Sequence, residues 1–71
     1  MIWELVIIDD AHNESRLFYD KKESAVYRAV KYLIENYFTY AADYVTMLYE
    51  DDEVKDRSGN VICYIEPHKL N

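Results

Sequence analysis

The sequence predicts an α+β fold, a small two-layer domain with one long amphipathic helix packed across an antiparallel β-sheet. Three observations carry that expectation. Short β-branched apolar runs stand at both ends of the chain, a segment of helical periodicity lies between them, and polar turn signals of hairpin length separate the strands. At 71 residues the chain makes a single domain, 1–71, with a modest core that eight tyrosines enlarge.

The elements follow in order. "IWELVIID" (Ile2 to Asp9) is a near-continuous apolar run ended by the polar "DDAHNES", the pattern of a largely buried strand followed by a loop. Trp3 is expected in the core. "RLFYD" (Arg16 to Asp20) reads as a second strand, and Asn13 and Ser15 supply turn chemistry between the two. Asp20 and Glu23 fit a capping box. The helix then runs from about Lys21 to about Tyr40. Val26, Val30, Leu33, Ile34 and Tyr37 share its apolar face, while Arg28, Lys31, Tyr32, Glu35 and Thr39 lie opposite.

Past Tyr40 two readings compete. Ala41, Tyr44, Val45 and Leu48 continue the apolar face, so periodicity permits a helix to about residue 50 and a β-β-α-β order. Yet "DYVTMLY" is rich in Tyr, Val and Thr, which pack well on sheets. A break near Ala41–Asp43 and a strand over Tyr44–Tyr49 is the favoured reading, giving β-β-α-β-β. "DRSGN" is a hairpin turn with Gly59 free to take positive φ. "NVICYIE" is the last strand, closed by Pro67, and "HKLN" is a frayed end.

The net charge is −6, fourteen acids against eight bases. That disfavours direct binding to a phosphate backbone and suits a basic partner, or solubility alone. A single cysteine, Cys63, makes no intramolecular disulfide and points to a reducing compartment. The N-terminal segment lacks a basic lead, and no run approaches the ~20 apolar residues of a membrane span. The expected location is the cytoplasm of a bacterial host. Residues with AT-rich codons outnumber those with GC-rich codons, as in a low-GC bacterium or its phage.

No catalytic pattern is present. Ser15, Ser24 and Ser58 lack a glycine elbow, and Cys63 alternates within a strand as a small buried hydrophobe. A calcium loop centred on Gly59 would put Val54 first and Ile65 last, neither of which offers an oxygen. Cys63, His12 and His68 are scattered without zinc-site spacing. The chain is therefore expected to be non-enzymatic, with no cofactor and no metal.

The acids are more informative. "YEDDEVKD" contributes Glu50, Asp51, Asp52, Glu53 and Asp56, the first loop adds Asp9 and Asp10, and the helix adds Glu35. They form either a solvated rim or a phosphate-like array for a basic groove. Tyr27, Tyr37 and Tyr44 are expected at the core or its edge, and Tyr32 as an exposed contact. In size, charge and inferred origin the chain resembles the small acidic proteins of phages and mobile elements. Some of those inhibit host nucleases such as CRISPR effectors or restriction enzymes. That resemblance implies a nucleic-acid mimic docking on a basic, nucleic-acid-binding groove of a protein partner. The alternative is a small homodimeric regulatory or structural module that buries a sheet edge or the helix flank.

Overall fold

A computed structural model describes residues 1–37 and 41–69. Strands β1 (Ile2–Ile8) and β2 (Glu14–Tyr19) precede helices α1 (Lys22–Tyr37) and α2 (Ala41–Asp51), and strands β3 (Glu53–Lys55) and β4 (Val61–His68) follow. The four strands form one antiparallel sheet in the order β2-β1-β4-β3. The α+β class is as expected, with two helical segments on the sheet.

Side-chain alternation splits the sheet into unlike faces. Leu5 and Ile7 of β1 join Cys63 and Ile65 of β4 and Val54 of β3 in one core cluster. Ile62 of β4, Ala25, Val26, Ala29 and Leu33 of α1 and Tyr44 and Leu48 of α2 complete it. Both helices therefore cover the same face. Ala25 and Ala29 are fully buried, small side chains on the α1 face that packs on the sheet. The buried stripe is rotated from the expected one: Ile34 is 42% exposed and Tyr27, expected at the core edge, is 74% exposed. Tyr32, expected in solvent, is half-buried against the cluster and meets Tyr37 with ring centroids 6.3 Å apart. Trp3 is partly buried against the same cluster.

The strand expected over Tyr44–Tyr49 is helical. Tyr44 and Leu48, one helical turn apart, are buried, whereas Thr46 between them is exposed and its Oγ1 donates to the Ala42 carbonyl at 3.0 Å. A strand would have put Tyr44, Thr46 and Leu48 on one face. Burial of an i, i+4 pair outweighed the β-propensity of Tyr, Val and Thr, a preference worth no more than about 1 kcal/mol. The third strand is instead Glu53–Lys55, reached through Asp52, which takes positive φ (58°) and whose carbonyl accepts from the Ile65 N–H at 2.8 Å. Thr39 and the helix's expected extension to Tyr40 lie outside the described residues.

The last strand does not stop at Pro67 but continues to His68. The Ile65 N–H points away from β1 toward Asp52, and two residues later the Pro67 nitrogen faces the same way. β3 pairs with β4 no further than Tyr64, so that side is an open edge and the missing N–H of proline costs no ladder bond. Leu70 and Asn71, expected to be frayed, lie outside the described residues.

Candidate functional site

Two turns of the same construction close the hairpins. In Asp9–Asn13 the Asp9 N–H donates to the Asn13 carbonyl at 3.0 Å, and its carbonyl accepts from His12 N–H at 3.0 Å. Its Oδ1 accepts from the Ala11 and Asn13 N–H groups, both at 2.9 Å. In Asp56–Asn60 the same bonds recur: Asp56 N–H to the Asn60 carbonyl, Gly59 N–H to the Asp56 carbonyl, and Ser58 and Asn60 N–H to Asp56 Oδ1. The fourth position is left-handed in both, Gly59 at φ 87° and His12 at φ 64°. Glycine adopts that conformation freely, whereas histidine does so at a cost. The pattern Asp-x-x-x-Asn recurs in the sequence at 9–13 and 56–60, and of the two residues expected to supply turn chemistry, Asn13 closes the first turn while Ser15 lies within β2.

Because β1 and β4 are antiparallel neighbours, with Ile7 opposite Cys63, the two turns emerge at one end of the sheet. There Asp9, Asp10, His12, Asp56 and Asn60 line a shallow concavity that the C-terminal end of α1 closes with Tyr37. Burial, and after it the field of Tyr32, Asp10 and Asp56, pushes the Tyr37 phenol above its ordinary value. The phenol stays neutral and able to donate. Among the described residues, no cation lies within ion-pair distance of Asp9, Asp10 or Asp56. Lys55 and Arg57 line an adjoining groove with Met47 and Tyr44.

The remaining expected acids lie elsewhere. Glu50 and Asp51 are exposed at the end of α2, and Glu53 holds Lys55 at 3.4 Å on the edge strand. Asp52 is a structural joint: its Oδ1 binds Lys22 Nζ at 2.8 Å, and that ammonium lies 5.3 Å from the Trp3 ring centroid and 5.4 Å from that of Tyr49. Lys22 thus ties the start of α1 to β1 and to the end of α2. Glu35 is exposed on α1. The structure therefore gathers Asp9, Asp10 and Asp56 and leaves Glu50–Glu53 and the α1 pair Tyr32 and Glu35 apart from them.

A further polar cluster went unread in the sequence. Glu4 sits in the middle of the apolar β1 strand with its side chain only 8% exposed, on the sheet face that carries no helix. Neighbouring side chains on that face cover it. Arg16 Nη1 reaches its Oε2 at 3.0 Å, His68 Nε2 reaches its Oε1 at 2.9 Å, and Arg16 Nη2 also binds Glu14 at 3.2 Å. The His68 hydrogen bond, then that of Arg16, holds the Glu4 carboxyl below its ordinary value. The signal available was one acid inside a strand of seven residues that otherwise buries only apolar side chains. Its histidine partner is 64 positions away, and only the strand pairing brings them together.

The sole cysteine, Cys63, is fully buried, and burial pushes its thiol up to about 12. That leaves it without the thiolate a nucleophile needs. No helix among the described residues is long and apolar enough to cross a membrane. The chain matches no family model, no curated protein and no solved structure at a significant level.

Proposed function

We propose that this protein is a non-enzymatic acidic binding protein whose hairpin-turn end docks on a basic, nucleic-acid-binding surface of a protein partner. The observation that carries this reading is the convergence of Asp9, Asp10 and Asp56 on one rim, none of them in an ion pair with another described residue. Three cations elsewhere are engaged, Arg16 by Glu4 and Glu14, Lys22 by Asp52 and Lys55 by Glu53, while Arg57 follows Asp56 in the chain without forming an ion pair with it. Carboxylates held on rigid turns present negative charge at fixed spacing, as phosphates do, and fixed charges steer a basic partner without an ordering cost. Tyr37 supplies an aromatic body with a polar tip beside them, the kind of side chain favoured at interfaces. Exposed Glu50 and Asp51 add to the long-range field. By resemblance of size and charge, the partner is a host defence nuclease, of the CRISPR or restriction type, and the protein a phage or mobile-element inhibitor acting in the bacterial cytoplasm.

The test is capture of basic nucleic-acid-binding proteins from a low-GC bacterial lysate on immobilised protein, with duplex DNA as competitor. Asp9→Asn, Asp10→Asn and Asp56→Asn together remove the charge and keep the Oδ1 acceptors that build the turns. Retention should fall with salt, be displaced by DNA and be lost in the triple variant. Retention unchanged by DNA and by the three substitutions would sink the mimic reading.

One observation favours a homodimer as a second reading. On α1, Tyr27 and Ile34 are exposed on either side of Val30, flanked by Lys31 and Glu35. A mass that rises with concentration and returns to the monomer value in an Ile34→Lys variant would support it. A constant monomer mass excludes it.

A further inference from the structure

The open face of the sheet points to a divalent cation site, and we infer that Glu4, Glu66 and His68 bind zinc. Glu4 and Glu66 are directly opposite each other on β1 and β4, and His68 follows two residues after Glu66 on the same face. One ligand atom from each of the three lies within 4.8 Å of the others. His68 Nε2 is 2.9 Å from a Glu4 oxygen and 3.9 Å from a Glu66 oxygen. A tetrahedral zinc with bonds of about 2.0–2.2 Å sets its ligand atoms roughly 3.3–3.5 Å apart. Glu66 and His68 are exposed, so theirs are the side chains that would adjust around an ion.

Charge balance supplies the second argument. Two carboxylates facing each other across neighbouring strands repel unless a cation lies between them. On this face Glu4, Glu14 and Glu66 meet a single guanidinium, Arg16, and Arg16 is bound to Glu4 and Glu14. Among the described residues, Glu66 has only His68 as an ion-pair partner, at a loose 3.9 Å. Three carboxylates against one guanidinium leave two negative charges, which a divalent cation would offset. The Arg16 bond to Glu4 Oε2 also fixes that carboxylate with Oε1 turned toward His68. Polar partners behind a ligand orient metal sites in this way.

The donor set selects the metal. Two carboxylate oxygens and one imidazole suit zinc with water in the fourth position. Magnesium and calcium ask for about six to eight oxygens, which this shallow face does not offer. Bound zinc would staple the end of β4 to β1 where β3 no longer flanks it, a device that small scaffolds use to supplement a limited core. The site is distinct from the acidic turns, so it stands or falls separately from the docking reading.

The test uses untagged full-length protein titrated with zinc chloride, followed by calorimetry and by amide NMR. Expected are one saturable site, shifts centred on residues 3–5 and 65–68, a raised melting temperature, and reversal by a chelator. Glu66→Gln and His68→Gln alter exposed side chains and should each abolish saturable binding with the amide spectrum otherwise that of the folded protein, whereas His12→Gln should not. Magnesium chloride should give no such shifts. The inference is overturned by the absence of saturable binding, by binding that survives both His68→Gln and Glu66→Gln, or by binding that His12→Gln removes.

Discussion

Residues 41–51 offer the sharpest structural test, because helix and strand assign opposite fates to neighbouring positions. Leu48 is fully buried in the core cluster, and Thr46 is exposed with its hydroxyl turned back to the Ala42 carbonyl. Truncating a buried leucine to alanine costs about 2–5 kcal/mol. A domain of this length has a total stability of roughly 4–10 kcal/mol. Leu48→Ala should therefore remove a large share of it, lowering the melting temperature by ~8 °C at least, at about 4–8 °C per kcal/mol. Thr46→Lys places a good helix former on an exposed helical face and should change stability by no more than ~0.5 kcal/mol. Thermal and urea unfolding followed by circular dichroism measure both. In a strand, Thr46 would share a face with Leu48. Comparable losses from the two substitutions, or a harmless Leu48→Ala, would refute the helical packing described here.

Three other expectations follow from the packing. Lys22→Ala removes an ammonium that touches Asp52, Trp3 and Tyr49 together, and should cost about 1–2 kcal/mol, read as a shifted urea midpoint with the slope unchanged. Cys63 should resist alkylation by iodoacetamide in the folded protein at pH 8 and react promptly in urea; rapid labelling of the native state would contradict its burial. Stability should also fall as pH rises from about 9 toward 12, because the unfolded thiol ionises over that range while the folded one stays protonated, and Cys63→Ala should flatten that decline.

What the sequence revealed divides along physical lines. β1, α1 and β4 were legible because each carries a local signal: β-branched runs, a 3.6-residue apolar stripe, or a glycine-bearing turn; β2 was legible from its apolar and aromatic Leu17–Tyr19 run and the polar loop before it, which placed its start two residues late. The Tyr44–Tyr49 segment misled because its propensity and its periodicity disagree, and packing of Tyr44 and Leu48 decided in favour of periodicity. β3, three residues long, is too short to announce itself. The continuation of β4 through Pro67 depends on which way one nitrogen points, which no local pattern states. At the candidate site the acids were all visible, but their grouping was not. Asp9 and Asp56 are neighbours only because β1 and β4 pair, and the same pairing brings His68 to Glu4, while Asp52 is drawn into a structural joint by Lys22 and the Ile65 N–H.

The docking claim is tested most directly by the association rate between this protein and a captured basic partner, measured across a range of salt concentrations. Charge-steered docking makes the rate fall steeply with salt for the wild type and makes it slower and nearly salt-independent for the Asp9→Asn, Asp10→Asn, Asp56→Asn variant. Equal rates and affinities at low and high salt, or a triple variant that associates as the wild type does, would contradict it.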